Sequence, residues 1–215
     1  MKSVELDGDA LQRSGEEYNP GEPTVPRQAA SVILLRGDDQ GLEVLLVKRN
    51  PEARFMGGAW VFPGGAVDAR EGEGDAAHRA AAVRELAEEA GIDLDGPQGL
   101  VKYSRWITPA EVRIRFDTHF FLATLPLGAR PRPDGRETVD ARWFSPADAL
   151  DAHGAGQILL VFPTIKHLEQ LARFRSAQAL LEHARGSEVV PVQPRVVVSG
   201  ETARVVLPGE PGYSD

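Results

Sequence analysis

The chain contains no cysteine among its 215 residues, and it also lacks an apolar run long enough to cross a bilayer. Without cysteine there is no disulfide framework, no thiolate metal site and no cysteine nucleophile. Residues 1–28 are too polar for a secretory signal, so we expect a cytoplasmic protein with no membrane partner. A formal net charge of −8 disfavours a general nucleic-acid binder. It leaves open a small phosphorylated ligand, which needs only a few local arginines and a cation.

The composition is that of a soluble globular protein, with 42% apolar and 26% charged residues. We predict one main domain over residues 29–186. Residues 1–28 are rich in glycine, proline and acidic residues and predict a flexible N-terminal arm. Residues 187–215 predict a C-terminal extension of short strands, which its prolines restrict to sheet edges.

Apolar periodicity places the other elements of the main domain. The predicted strands cover residues 29–35, 42–47, 100–107, 113–124 and 139–143. A short helix is predicted over residues 146–152, with Ser145 as its N-cap and Pro146 in its first turn. The helical spacing of apolar residues predicts one long helix over residues 164–184.

The stretch from Phe55 to Ile92 has the most informative pattern. Its first part reads as a buried strand that enters a glycine turn at Gly64 and Gly65. Glycine permits a positive φ angle and lets the backbone approach other groups closely. Its second part reads as a helix that ends at Gly91.

Three glutamates of this helix, Glu85, Glu88 and Glu89, lie within about a third of its circumference. They precede Gly91, where the helix dipole disfavours negative charge, and Glu85 and Glu89 repel each other. One explanation is a solvated acidic face. The other is a divalent cation, because hard cations such as Mg²⁺ take carboxylate oxygens and keep substrate phosphates as further ligands.

These residues resemble the signature of the Nudix hydrolases, G-x5-E-x7-R-E-U-x-E-E-x-G-U, where U is apolar. The second half matches at every specified position from Arg84 to Ile92, and the first half matches as Gly65, five residues and Glu71. Twelve residues separate Glu71 from Arg84 where the pattern has seven, and the extra five fall in a glycine-rich segment that predicts a loop insertion. Counted back from Arg84, the glutamate position holds Ala76, so the resemblance leaves the role of Glu71 open.

The resemblance implies an α/β fold of the α+β kind. Its expected architecture is an α/β/α sandwich, in which a mixed sheet lies between the helix that ends at Gly91 and the helix over residues 164–184. It also implies a reaction, the cleavage by water of the P–O–P bond in a nucleoside diphosphate linked to another group.

The implied cofactor is Mg²⁺, with Mn²⁺ as the alternative. By resemblance, the metal ligands are the following groups: Glu85, Glu88, Glu89 and the Gly64 backbone carbonyl. Arg84 would orient the glutamates. Either Glu85 or Glu137 would be the general base, and Asp140 is the second candidate for the position of Glu137. An exposed loop acid is the alternative explanation for Glu137.

A narrower resemblance joins the chain to the coenzyme A diphosphatases of this family. It rests on the arginine-bearing, apolar segment over residues 45–65, on Thr108-Pro109 and on residues 115–121, and the match is not perfect. Arginine forks fit phosphate oxygens, so four arginines are candidate substrate contacts. They are Arg49, Arg54, Arg113 and Arg115. For each of them a solvated surface charge is the alternative.

Three functions follow from these resemblances. The first is hydrolysis of coenzyme A or acyl-coenzyme A to 3′,5′-ADP and a phosphopantetheine product. The second is the same chemistry on ADP-ribose, NADH or a nucleoside triphosphate. The third is a nucleotide-sensing domain without turnover, which the intact Arg84–Glu89 half of the signature disfavours. The sequence leaves open whether the chain forms a homodimer.

Overall fold

The computed structural model describes residues 4–7, 19, 21–37, 41–199 and 202–213. Within these ranges the α-helices are α1 (Gly74–Ala90), α2 (Pro146–Gly154), α3 (Phe162–Leu171) and α4 (Ala177–Arg185). Two short 3₁₀ turns cover Ala69–Glu71 and Pro97–Gly99. The strands are β1 (Val4–Asp7), β2 (Arg27–Arg36), β3 (Glu43–Arg49), β4 (Ala59–Val61), β5 (Gly64–Ala66), β6 (Val101–Ile107), β7 (Phe116–Thr124), β8 (Thr138–Phe144), β9 (Leu159–Leu160), β10 (Pro191–Val192), β11 (Arg195–Ser199) and β12 (Thr202–Val206).

Nine of these strands form one mixed sheet. Its main order is β10-β6-β7-β2-β3-β4-β9, with β5 paired to β2 and β8 paired to β3. Strand β2 runs parallel to β7 and antiparallel to β3 and β5. The predicted β2–β3 hairpin is confirmed, while residues 38–40 of its turn lie outside the described residues.

The long strand β2 contributes to a hydrophobic core on each face of the sheet, because successive side chains of a strand point to opposite faces. Leu34 belongs to the cluster that contains Leu86 of α1. Leu35 belongs to the opposite cluster, which contains Leu168 of α3 and Leu180 of α4. Helices therefore cover both faces, and the predicted α/β/α sandwich with a mixed sheet is confirmed.

The prediction of one long helix over residues 164–184 is wrong. Helix α3 ends at Leu171, and α4 begins after Ser176, whose hydroxyl oxygen accepts a hydrogen bond from the Ala179 amide at 3.2 Å. A capping serine of this kind marks the start of a new helix. Both helices turn an apolar side towards the same face of the sheet, which explains why their apolar spacing resembles that of one helix.

The two terminal segments meet in a second, three-stranded sheet of order β1-β12-β11. All of its pairings are antiparallel. The prediction of edge strands in the C-terminal extension is therefore wrong for β12, which is central, whereas β11 and β10 each lie at an edge. The segment predicted as an arm contains β1 and the first residues of β2, and its residues 1–3, 8–18 and 20 lie outside the described residues.

The strand predicted over residues 113–124 begins only at Phe116. Arg115 lies in the preceding loop, and its buried guanidinium donates hydrogen bonds to the carbonyl oxygens of Thr108 at 3.1 Å and Thr24 at 2.6 Å. These bonds hold the segment before β2 against the loop between β6 and β7. Within the described ranges, none of the helices has the length and apolar content that crossing a membrane requires.

Candidate active site

Helix α1 carries Glu85, Glu88 and Glu89 in its last two turns. It ends at Gly91, whose left-handed conformation (φ 62°, ψ 29°) closes the helix. Glu85 and Glu89 are buried, with 9% and 3% of their surface exposed, whereas the Glu88 side chain is 60% exposed. A solvated acidic face therefore does not explain Glu85 and Glu89, because both carboxylates are withdrawn from water.

Gly64 and Gly65 lie in β5 rather than in a turn of positive φ. A Cβ atom on Gly65 would lie 2.6 Å from the Cδ atom of Glu85, and a Cβ atom on Gly64 would lie 2.7 Å from the Cα atom of Ser31. No side chain fits at such distances unless a neighbour moves. Glycine is needed here for close approach, at Gly65 to the Glu85 carboxylate and at Gly64 to the neighbouring strand β2.

The guanidinium of Arg84 binds three carboxylates. Its Nε atom donates to Glu71 Oε1 at 2.9 Å, and its Nη1 atom donates to Glu85 Oε1 at 2.7 Å and to Glu88 Oε2 at 2.9 Å. Its Nη2 atom donates to the carbonyl oxygen of Ala66 at 2.9 Å. The bond to Glu71, followed by those to the other glutamates, raises the pKa of Arg84. Arg84 therefore stays charged and fixes the orientation of these carboxylates.

The extra residues between Glu71 and Arg84 do not remove Glu71 from this network. Helix α1 begins at Gly74, so most of the added residues extend the helix, and the predicted loop insertion is shorter than expected. Glu71 ends a 3₁₀ turn in which its Oε2 atom accepts a hydrogen bond from the Asp68 amide at 2.6 Å. Both of its oxygens also face Arg84. Ala76, the position expected from the pattern, lies within α1.

Burial raises the pKa of both buried glutamates, and for Glu89 it raises the pKa to about 7. The charges of Glu85 and Glu137 raise the pKa of Glu89 further, while a hydrogen bond of 2.8 Å from the Gly64 amide opposes the shift. The pKa of Glu85 is raised by burial and then lowered in part by Arg84. Several carboxylates thus share one poorly solvated space and repel each other, which is a condition that a bound cation relieves.

Glu137 immediately precedes β8 and lines the same cavity as Glu85 and Glu89. Its backbone carbonyl accepts a hydrogen bond from the Asn50 amide at 2.8 Å. Within the part of the chain that the structure describes, no hydrogen bond or ion pair engages the Glu137 carboxylate. Asp140, the second candidate for this role, is instead held by Arg142 at 2.9 Å and does not line the cavity.

Of the four arginines considered as phosphate contacts, only Arg49 lines the cavity. Arg54 and Arg113 are exposed outside it, and Arg115 is buried against backbone carbonyls. Arg27, which was not among the candidate substrate contacts, also lines the cavity. Among the described residues, the positive charges that line the cavity are therefore those of Arg27 and Arg49.

The cavity has a volume of about 410 Å³, within the range of typical small-molecule sites. One end holds Glu85, Glu89 and Glu137, and the loop after β3 contributes Phe55 and Met56. The rest of the wall is largely apolar, and its members were not among the candidate site residues. They include Trp106, Val112, Phe116, Phe120, Phe162, Pro194, Val196 and Val205.

The donor set at the carboxylate end fits a hard divalent cation, which binds oxygen ligands. Glu85, Glu89 and Glu137 supply such ligands, and the antiparallel pairing of Ser31 with Gly64 turns the Gly64 carbonyl away from β2. Among the described residues, no three acidic, histidine or cysteine side chains converge tightly enough to hold a metal ion. Arg84 donates hydrogen bonds to the carboxylates of Glu85 and Glu88, and the Gly64 amide donates one to Glu89.

Comparison with known proteins agrees with this geometry. A family model described as the NUDIX domain matches residues 25–162. "Putative nudix hydrolase 7" of Caenorhabditis elegans is 27% identical to this chain over 88% of this chain and 75% of its own length. The acyl-coenzyme A diphosphatase NUDT19 of Homo sapiens is 25% identical over 90% of this chain and 82% of its own length. The crystal structure of a NUDIX hydrolase from Alicyclobacillus acidocaldarius superimposes with a TM-score of 0.67, covering 74% of this chain and 96% of that one, at 27% identity. The chain therefore belongs to the NUDIX family and is an enzyme, a hydrolase of diphosphate bonds.

Proposed function

We propose that this enzyme cleaves the diphosphate of coenzyme A or acyl-coenzyme A and releases 3′,5′-ADP and a phosphopantetheine product. The observation that carries the proposal is the carboxylate end of the cavity, where Glu85, Glu89 and Glu137 line the same space as Arg49. The substrate class is supported by the relative named as an acyl-coenzyme A diphosphatase and by the extent of apolar wall beyond the carboxylates. We further propose that the reaction takes place in the cytoplasm.

The reaction is the attack of water on one phosphorus of the P–O–P unit. A bond forms between that phosphorus and the water oxygen, the bond to the bridging oxygen breaks, and the water proton passes to a base. Glu85 and Glu137 are the two candidates for the base. We assign the role to Glu137, because its carboxylate is free to accept a proton, whereas Arg84 already donates to Glu85.

The remaining residues position the reacting groups. Arg84 holds Glu85 and Glu88 and thereby keeps the acidic end of the cavity in one arrangement. Arg49 and Arg27 lie where they can bind the non-bridging oxygens of the diphosphate. Glu89 is buried, and the Gly64 amide of β5 holds its carboxylate at 2.8 Å.

We propose Mg²⁺ as the cofactor, with Mn²⁺ as a substitute. Glu85, Glu89 and the Gly64 carbonyl would hold the ions from inside the cavity, whereas Glu88, the third candidate ligand of α1, lies outside it with 60% of its side chain exposed. When bound, the cation neutralises charge on the phosphate oxygens and lowers the pKa of a coordinated water.

A product assay tests the proposed function. The purified protein is incubated with Mg²⁺ and, in parallel, with coenzyme A, hexanoyl-coenzyme A, ADP-ribose, NADH and 8-oxo-dGTP, and the products are identified by mass. We expect release of 3′,5′-ADP from the coenzyme A compounds, and no product when Mg²⁺ is chelated. Turnover of ADP-ribose or NADH alone would contradict the proposed substrate and retain the chemistry. Tight nucleotide binding without any turnover would contradict the proposed reaction.

A further inference from the structure

The cavity extends across the main sheet. Its lining begins with Gly64 and Gly65 of β5, passes Ser31 of β2, and continues past β7 and β6 to Pro194, which follows β10. These strands lie side by side in the order β5-β2-β7-β6-β10. At a spacing of about 4.8 Å between neighbouring strands, the four steps correspond to roughly 19 Å. The carboxylates therefore occupy one end of a long cavity.

The far end of this cavity is built by the C-terminal extension. Val196 of β11 and Val205 of β12 are directly paired across the second sheet, and both line the cavity. Val196 also packs on Val112, in the loop between β6 and β7. The Val196 amide donates to the carboxylate of Glu111 at 3.3 Å, which fixes β11 against that loop. We call Val112, Pro194, Val196 and Val205 the aliphatic end of the cavity.

The chemistry of the aliphatic end selects its ligand. None of its four side chains carries a hydrogen-bonding or charged group. The nearby Thr108 hydroxyl already bonds to the backbone of Phe116, accepting from its amide at 3.0 Å. A nucleobase or sugar buried here would leave polar atoms without partners, which is costly. A hydrocarbon chain has no polar atoms to leave without partners, and its burial is favoured because apolar surface is removed from water.

We propose that the aliphatic end binds the acyl chain of an acyl-coenzyme A substrate, so that Val196 and Val205 set a preference for acylated over free coenzyme A. This inference rests on the proposed function, because it assumes that the diphosphate lies at the carboxylate end. It gives the C-terminal extension a role in substrate selection. The separation of the two ends requires a substrate in which a long arm joins the diphosphate to the acyl group.

The test measures kcat/KM of the full-length protein for free, acetyl-, hexanoyl- and decanoyl-coenzyme A. Each methylene group of the acyl chain that becomes buried should raise kcat/KM about threefold to fourfold. We therefore expect kcat/KM to be at least about tenfold higher for hexanoyl- than for acetyl-coenzyme A. Hydrolysis of all four compounds at similar kcat/KM would overturn this inference and leave the proposed function intact. Hydrolysis of none of them would overturn both.

Variants assign the preference to the C-terminal strands. In Val196→Asn and Val205→Asn, the ratio of kcat/KM for hexanoyl- to free coenzyme A is expected to fall at least about tenfold. A ratio measured on one preparation is independent of the fraction that folds. The matched control is Val197→Asn, because Val197 is the next residue of β11 and does not line the cavity. An equal loss on both substrates, or the same loss in the Val197 variant, would overturn the proposal.

Discussion

The two ends of the cavity bury side chains of opposite character, carboxylates at one end and aliphatic groups at the other. At the carboxylate end, Glu85 and Glu89 keep charged groups out of water, and Arg84 and the Gly64 amide compensate for part of that cost. At the aliphatic end there is no charge to compensate, and valine side chains complete the wall. The first end is suited to a diphosphate, and the second to a hydrocarbon.

The two ends also differ in how the chain builds them. Much of the carboxylate end comes from one stretch, from Gly64 to Glu89, whereas Arg49 and Glu137 come from other segments. The aliphatic end joins Val112 to Val196 and Val205, which are more than 80 residues away in the sequence. The glutamates of α1 and the glycines of β5 therefore lie in one short stretch of the sequence, whereas the aliphatic end depends on contacts between distant segments.

The largest expected effect is at Glu137. The substitution Glu137→Gln removes the proposed base and should lower kcat about a hundredfold to ten-thousandfold, the usual contribution of general base catalysis. The matched control is Asp140→Asn, in the strand β8 that follows Glu137, where Arg142 holds the carboxylate outside the cavity. Steady-state kinetics of both variants measures the difference. An equal loss in the two variants would contradict the assignment.

The next effect separates the two glycines of β5. A methyl group on Gly65 meets the movable end of Glu85, so Gly65→Ala should lower kcat about tenfold or more with little change in stability. A methyl group on Gly64 meets the backbone of β2, so Gly64→Ala should cost about 1–3 kcal/mol of unfolding free energy. Kinetics and chemical denaturation of both variants test this. Similar effects of the two changes on stability would refute the distinction.

The smallest effect concerns His167, which packs beneath the apolar wall. Its ring lies 4.3 Å from Phe120 and 5.5 Å from Trp106 between centroids, and its Nε2 atom lies 2.6 Å from the Ser104 hydroxyl. Complete burial lowers the pKa of His167 to about 3. Below pH 6.5 the unfolded chain binds a proton that the folded protein does not bind until about pH 3, so stability falls as the pH falls through this window.

The substitution His167→Gln should therefore reduce the loss of unfolding free energy between pH 7 and pH 4.5 by about 2 kcal/mol. Chemical denaturation at the two pH values measures this quantity. The exposed residue His183 provides the control variant, His183→Gln. An identical pH dependence in wild type and His167→Gln would show that this histidine titrates normally in the fold.

The sequence signals at the carboxylate end are local. Helical spacing brings Glu85 and Glu89 to one side of α1, and Gly91 ends the helix in the expected left-handed conformation. The role of Glu71 could not be derived from spacing, because added residues can lengthen a helix as readily as a loop. Only the structure shows that Glu71 returns to Arg84.

Features that depend on distant contacts were not predictable in the same way. Arginine fits phosphate equally well at any exposed position, so the sequence could not separate Arg49, which lines the cavity, from Arg115, which binds backbone carbonyls. The three consecutive valines of β11 do not indicate which of them covers the cavity. The break between α3 and α4 had a local signal, the capping residue Ser176, which the apolar spacing of the two helices obscured.

The most direct test of the account is the initial rate at which 3′,5′-ADP is released from hexanoyl-coenzyme A by wild type and Glu137→Gln, side by side in Mg²⁺. The account predicts rapid release by the wild type and release at least about a hundredfold slower by the variant, with both proteins folded. Equal rates, or no release of 3′,5′-ADP by the wild type, would contradict it.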